Sequence, residues 1–173
     1  QGTNYIFVDN ASNDQYALVK TTATAPSVSG SWSLVFEKLT TVGLPVDALG
    51  FNGTILYLVN TDVGMELWQW DIASSVNTLL RKFTGNSTNW GMAGKLLIEK
   101  DGKVVITIPN NEIWEFTAAG VLTRIYVRNA FKRDTLSSSL YETSPYLAWG
   151  GVSSDNKIWW GNLMYDGTHF YNT

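Results

Sequence analysis

The sequence predicts an all-β fold built from repeated four-stranded antiparallel meanders. Hydrophobic residues make up 45% of the 173 residues, and many of them are aromatic or β-branched, which suits a pleated, half-buried surface. Short apolar runs alternate with turn signals from residue 94 to residue 129. Between two of these runs lies Asp101-Gly102, a dipeptide favoured in type I′ hairpins because both central residues need a positive φ. We therefore expect four strands in up-and-down order here.

The same pattern recurs upstream, which indicates a repeat. Asn52-Gly53 takes the place of the Asp-Gly turn, and Gly53 precedes Gly102 by 49 positions. The tripeptides Glu66-Leu67-Trp68 and Glu112-Ile113-Trp114 match position for position at a spacing of 46 residues. A four-stranded repeat of about 45 residues is typical of a β-propeller blade. We therefore predict propeller-like blades, with a two-sheet β-sandwich as the alternative.

A single domain of about three and a half blades is expected, with approximate blades at 1–41, 46–84, 94–129 and 145–173. The first of these is interpreted as strands two to four of a blade whose first strand is absent or supplied elsewhere. The intervening residues 130–145 predict a helical turn or a long surface loop. Since closed propellers hold four to eight blades, we expect either part of a larger ring or self-association through open blade edges.

The register of the last blade has two interpretations. Residues 157–159, Lys-Ile-Trp, follow the Trp114 repeat at the spacing of a third strand. Asp155-Asn156 instead predicts the hairpin between the first and second strands, which makes 157–159 a second strand. We favour the second interpretation, because that hairpin and the Asp166-Gly167 turn both fit it.

Composition argues against several classes of function. The net charge of −3 argues against a nucleic-acid surface. No apolar run approaches the length of a membrane span. There is no cysteine, so disulfides and thiolate chemistry are excluded. The chain begins with Gln1, from which we expect a processed product or a fragment.

The blade pattern of residues 46–129 resembles that of the β-propeller superfamily, nearest to the lectin-type propellers of the tachylectin and tectonin kind. This resemblance implies a propeller fold and a recognition function. The sialidase Asp-box, Ser-x-Asp-x-Gly-x-Thr-Trp, is also similar to the chain at Ser153, Asp155 and Trp160. The chain departs from that box at Lys157 and Trp159, where Gly and Thr are expected. The partial match favours a blade hairpin and gives no support for sialidase activity.

Catalytic groups are sparse. The single histidine, His169, lies on an apolar run, which favours a packed or edge-strand histidine over a Ser-His-Asp role. Residues 9–14 offer oxygen ligands but lack the spacing of a calcium loop. Paired carboxylates can hydrolyse glycosides, yet the candidates mostly sit at turns or at alternating strand positions. We expect no catalytic residue, no metal and no cofactor, with these carboxylates in structural or solvated roles: Asp47, Asp62, Glu66, Glu112, Glu115 and Asp155.

Aromatic residues give the strongest functional indication, with 8 Trp, 8 Tyr and 7 Phe. Tryptophan can stack on sugar faces as well as fill a core. Packing between blades is expected at the repeat-equivalent positions Trp68, Trp70 and Trp114. The repeat explains four others less well, and these are the tentative ligand-binding residues: Trp90, Trp149, Trp159 and Trp160. The last two are adjacent, so they should point to opposite faces of one strand.

Three Asn-x-Ser/Thr sequences begin at Asn10, Asn52 and Asn86, all in predicted loops or turns where a glycan is accessible. They indicate an extracellular or surface-exposed glycoprotein. The first functional hypothesis is therefore a recognition module without catalytic activity, whose partner is a carbohydrate or another protein surface. The alternative is a structural or assembly subunit of a virion, tail or surface filament. A fragment of a propeller glycoside hydrolase ranks third.

Overall fold

A computed structural model describes residues 2–10, 15–22, 31–39, 43–61, 64–84, 96–108, 112–127, 150–160 and 163–172. These residues form four antiparallel sheets and contain no helix. Three sheets have four strands each and one has three, and in every sheet the strands follow chain order. This arrangement of successive meanders confirms the predicted all-β architecture.

Sheet 1 comprises β1 (Asn4–Asn10), β2 (Gln15–Thr21) and β3 (Ser33–Leu39). Sheet 2 comprises β4 (Leu44–Phe51), β5 (Thr54–Thr61), β6 (Gly64–Asp71) and β7 (Val76–Thr84). Sheet 3 comprises β8 (Leu97–Lys100), β9 (Lys103–Ile108), β10 (Glu112–Thr117) and β11 (Leu122–Val127). Sheet 4 comprises β12 (Gly150–Val152), β13 (Ile158–Trp160), β14 (Leu163–Tyr165) and β15 (Phe170–Asn172).

The predicted hairpins have the backbone that their sequences favour. Asn52 and Gly53 have φ values of 47° and 75°, and Asp101 and Gly102 have 52° and 74°. Positive φ at both central residues brings the two flanking strands together with the right twist. The turns therefore fix the register of the first two strands in sheets 2 and 3.

The last sheet follows the favoured interpretation, since Ile158 to Trp160 form its second strand, β13. Its first strand begins at Gly150, and the segments predicted at 130–145 and 146–149 lie outside the described residues. Strand β14 was not predicted, because Leu163 to Tyr165 are only three residues long and all three are apolar or aromatic.

Neighbouring sheets pack face to face through three apolar clusters. Tyr16 and Leu18 meet Tyr57 and Trp70 between sheets 1 and 2. Between sheets 2 and 3, residues of β5 and β6 meet residues of β9 and β10. The third cluster joins sheet 3 to sheet 4 through Ile98, Val105, Ile113, Ile158 and Trp160. Each interior sheet is therefore covered on both faces.

The two repeat-equivalent tryptophans have the same environment. Trp68 Nε1 donates to Glu66 Oε2 at 2.9 Å, and Trp114 Nε1 donates to Glu112 Oε2 at 2.9 Å. A cation from the last strand of the preceding sheet lies over each ring, with Lys38 Nζ 3.2 Å from the Trp68 centroid. The corresponding distance from Arg81 Cζ to the Trp114 ring is 4.1 Å. The expected packing of these tryptophans between sheets is confirmed.

Candidate functional site

A polar cleft opens between sheets 3 and 4, where the β8–β9 and β14–β15 turns lie side by side. Its volume is about 200 Å³. Apart from Val105, its walls are polar or glycine residues. We call it the inter-sheet cleft, and its principal side chains are Lys100, Asp101, Lys103, Glu115, Tyr165, Asp166 and Thr168.

Lys100 ends β8 and forms the buried wall of the cleft. Its side chain is only 4% exposed, and Nζ lies 2.9 Å from Asp101 Oδ2. The same nitrogen donates to the main-chain carbonyl of Asn156, in the first turn of sheet 4. The hydrogen bond and charge of Lys100 lower the pKa of Asp101. The lysine thereby ties the two sheets together beneath the cleft.

Glycine at position 167 allows this close approach. A Cβ there would lie 2.9 Å from Asp101 Oδ2 and 3.0 Å from Lys100 Cε, and its φ of 107° also favours glycine. Any larger residue would have to displace the Asp101 carboxylate and the end of the Lys100 side chain.

Glu115 lines the cleft from β10, in the same sheet as Lys100. Lys103 Nζ is 3.1 Å from its Oε1 and 3.2 Å from its Oε2, so the pair is held at both oxygens. The Tyr165 hydroxyl donates to the Gly167 carbonyl at 2.9 Å and lies 3.4 Å from Glu115 Oε2. Burial, reinforced by the Glu115 charge, raises the pKa of Tyr165 to about 12. The hydroxyl therefore keeps its proton at neutral pH.

Asp166 stabilises the β14–β15 turn at the mouth of the inter-sheet cleft. Its Oδ1 accepts from the main-chain N–H groups of Thr168 at 2.8 Å and His169 at 2.7 Å. Its Oδ2 accepts from the Tyr171 hydroxyl at 3.0 Å. The His169 and Thr168 amides lower the pKa of Asp166, so it is ionised at neutral pH. This network sets the position of the Thr168 side chain at the cleft.

The lining of the cleft is polar and carries both signs of charge. Each lysine has a carboxylate partner, so the two charge pairs largely cancel. Ammonium, hydroxyl and carboxylate groups offer both donors and acceptors along the walls. The cleft is smaller than the roughly 300–1,000 Å³ of drug-sized pockets. It is therefore a small polar cleft that contains two lysine–carboxylate pairs and the Asp166 carboxylate.

The structure separates the predicted ligand-binding tryptophans. Trp160 is 4% exposed in the cluster between sheets 3 and 4, and its Nε1 donates to Thr107 Oγ1 at 2.9 Å. Trp159 is half-buried on the opposite face of β13, where its Nε1 donates to Ser153 Oγ at 3.2 Å. The expected opposition of these two rings is confirmed. Trp90 and Trp149 lie outside the described residues.

The predicted carboxylates have structural partners. Asp47 Oδ2 accepts from the N–H groups of Leu96 and Leu97, both at 2.8 Å, and so joins sheet 2 to sheet 3. Glu66 pairs with Lys82 at 2.8 Å and Glu112 with Arg124 at 2.9 Å. These contacts account for three of the six carboxylates.

The other carboxylates differ in location. Glu115 lies in the inter-sheet cleft, Asp155 pairs with Lys157 at 2.7 Å, and Asp62 lies outside the described residues. His169 is 69% exposed in the turn before β15, which corrects the expected packed or edge-strand position, because its side chain points away from the core. No group of three or more metal-ligating side chains occurs among the described residues.

The predicted glycosylation positions fall in different places. Asn52 is exposed in the β4–β5 turn. Asn10 is the last residue of β1 and not part of the following loop. Asn86 lies outside the described residues. Where the chain is described, it contains no helix with the length and hydrophobicity needed to cross a membrane.

Sequence reasoning missed most of the cleft. It named Glu115, but not Lys100, Lys103, Tyr165 or Thr168. A signal was nevertheless present, because Asp101-Gly102 and Asp166-Gly167 were both recognised as turns. In consecutive meanders the turn after the first strand and the turn after the third lie at the same end. The two turns could therefore have been placed together once sheets 3 and 4 were taken as neighbours.

Comparison with known proteins supplies evidence on the fold. No family model matches the chain, and no curated protein matches it. Among solved structures, the crystal structure of TolB from Acinetobacter baumannii is similar, with a TM-score of 0.50 and 13% sequence identity. TolB is a β-propeller protein. The fold of this chain is β-propeller-like, with successive antiparallel meanders.

The match covers 96% of this chain and 36% of the TolB chain, so the chain spans about a third of TolB's length. At this sequence identity the likeness shows the fold alone. Among the described residues, the chain's own sheets number four, of which three have four strands and one has three.

Proposed function

We propose that this chain is an extracellular recognition module that binds a carbohydrate unit in the inter-sheet cleft, without catalysing a reaction. The observation that carries the proposal is the set of paired charges and hydroxyl groups around a small concavity. Sugars offer several hydroxyl groups, each both donor and acceptor, and the walls offer the complementary groups. Within propellers, the proposed relation is to the lectin type, on the strength of the blade pattern.

The pKa directions support a binding role over hydrolysis. Glycoside hydrolysis needs a carboxylic acid whose pKa is raised, beside a second carboxylate. Hydrogen bonds lower the pKa of Asp101, Asp155 and Asp166, which keeps these groups ionised. Glu115 is held by Lys103. The hydrolase hypothesis therefore stays third.

A glycan array followed by calorimetry on the best ligand tests the proposal. Lys103→Gln removes the ammonium group that holds Glu115 in the cleft, and we expect it to weaken binding at least about tenfold, the loss of roughly 1.4 kcal/mol. Lys82→Gln is the matched control, since it breaks a similar surface pair with Glu66 on sheet 2. Binding that is absent from the array, or equally affected by both variants, would contradict a sugar site in this cleft.

A structural or assembly subunit is the second proposed function, and a different observation favours it. The two terminal sheets each leave one face uncovered by any other described sheet, and both faces carry exposed large apolar side chains. Contiguous apolar surface on a sheet face is a feature of interaction sites. A mass that increases with protein concentration would support this function.

A further inference from the structure

We propose that the uncovered face of sheet 4 docks onto the uncovered face of sheet 1 in a second copy of this chain, so that two copies close one ring. The proposal rests on the second proposed function and is independent of the inter-sheet cleft. It names the two surfaces and their head-to-tail order.

The uncovered face of sheet 1 is apolar across all three strands. Ile6 pairs with Val19, and Val19 pairs with Leu34, so the three side chains form a row on one face. Phe7, Leu18 and Phe36 form the neighbouring row, on the opposite face, against sheet 2. Ile6 is 44% and Leu34 55% exposed. This row is called the leading face.

The uncovered face of sheet 4 is aromatic and apolar. Trp159 pairs with Met164, and Met164 pairs with Tyr171, so these side chains also form a row. Trp160, Tyr165 and Phe170 lie on the other side, in or against the cluster shared with sheet 3. Tyr171 is 44% exposed. This row is called the trailing face.

The two faces are the two halves of an interface that the chain already builds three times. In each internal contact, one sheet packs on the next sheet in the chain. The face that points toward the following sheet corresponds to the trailing face, and the face that points toward the preceding sheet corresponds to the leading face. The register shows the equivalence: Trp159 occupies the place of Leu56 in sheet 2 and Val105 in sheet 3, counted from the hairpin that precedes each strand. Leu56 and Val105 are fully buried against the following sheet. Among the described sheets, none packs on Trp159 as the following sheet packs on Leu56 and Val105.

A head-to-tail contact with a second copy fits these two faces better than a contact between two identical faces would. A leading face meeting a leading face would pair two surfaces that never meet within the chain. Head-to-tail contacts close into a ring when the rotation between units permits. Four sheets from each of two copies give eight, which is within the four to eight blades of closed propellers.

Two lysine variants test the order of the contact. Leu34→Lys places a charge on the leading face, and Tyr171→Lys places one on the trailing face. Lysine is used naturally to stop sheets from associating. Both new charges are positive, so they cannot pair with each other. Val76→Lys is the matched control, since Val76 is 53% exposed but lies on sheet 2.

Sedimentation velocity is measured across a concentration series for the wild-type chain, each variant and the mixture of the two lysine variants. We expect the wild type and Val76→Lys to reach twice the 19.2 kDa mass of one chain. Each of Leu34→Lys and Tyr171→Lys should stay monomeric, with association weakened at least about tenfold. The mixture should associate more strongly than either variant alone, because its mixed dimer keeps one of the two contacts intact. It should stay weaker than the wild type, because the other contact brings both lysines together. Circular dichroism confirms that each variant is folded.

Three outcomes would overturn the proposal. A wild-type monomer at every concentration would remove both this contact and the assembly function. Association that survives both lysine variants would leave an assembly subunit but place its interface elsewhere. Loss of association in only one of the two variants would show an isologous contact, since that contact uses the same face of both copies. If a lysine variant fails to fold, Leu34→Ser or Tyr171→Ser replaces it under the same criteria.

Discussion

At the scale of single residues, two tryptophan side chains make contacts that join neighbouring sheets. Trp68 and Trp114 share two kinds of partner: a glutamate two residues earlier, and a cation from the last strand of the preceding sheet. Glu66 pairs with Lys82 and Glu112 with Arg124, so each tryptophan's acceptor is itself held by the last strand of its own sheet. Sheet 4 has Leu163 at the equivalent position, without an indole nitrogen. This arrangement of glutamate, tryptophan and cation therefore joins sheet 1 to sheet 2 and sheet 2 to sheet 3, but it does not occur between sheets 3 and 4.

The two tryptophans should differ in their contribution to stability, because their burial differs. Trp114 is 6% exposed in the cluster between sheets 2 and 3, whereas Trp68 is half-buried at the edge of its cluster. We expect Trp114→Ala to lower the free energy of unfolding by about 3–5 kcal/mol. Trp68→Ala should lower it by roughly half as much, since less apolar area leaves the core. Urea denaturation of both variants measures the difference, and an equal or reversed order would contradict it.

At the scale of strands and turns, the hairpin turns set the register of the strands that they join. Gly53 has a φ of 75° and open space around its missing Cβ, so only its backbone conformation requires glycine. Gly50 precedes it on β4, also has open space, and lies outside the positive-φ region. These two glycines separate the effect of backbone conformation from that of packing.

Gly53→Ala should therefore destabilise the chain by about 1–2 kcal/mol, the cost of a left-handed conformation for an L-residue. Gly50→Ala should be neutral or stabilising by about 0.5–1 kcal/mol, because glycine within a strand loses more chain entropy on folding. Thermal unfolding of the two variants gives the comparison. If Gly50→Ala proved the more harmful of the two, the assignment of the β4–β5 turn would be wrong.

How much of the fold can be predicted from the sequence depends on how far apart in the chain the interacting residues lie. The Asn-Gly and Asp-Gly turns and the alternating runs around them act over a few residues, and they predicted the strands of sheets 2 and 3. The β14 strand is held by pairing with β13 and β15 and not by its own pattern, so it was missed. The inter-sheet cleft depends on Lys100 meeting Asn156, which lies 56 residues away. No local pattern encodes that contact.

At the scale of the whole molecule, the sheets form an arc in which each contacts mainly its chain neighbours. No cluster among the described residues contains both sheet 1 and sheet 4. Repeat architectures of this kind distribute stability as contributions of single units and their nearest-neighbour interfaces. Sheets 2 and 3 have two such interfaces each, and the terminal sheets have one.

Hydrogen exchange should therefore vary along the chain. Amides of β5, β6, β9 and β10 should exchange most slowly, since these strands are paired on both sides and packed on both faces. Amides of β13 to β15 should exchange fastest among the described strands, because each has three residues and the sheet is covered on one face. Association should slow exchange in sheets 1 and 4 as concentration rises, and leave sheets 2 and 3 nearly unchanged. Leu34→Lys should abolish that concentration dependence while keeping the gradient along the chain. Equal protection in all four sheets of a dilute sample would show that the terminal sheets are already covered within one chain.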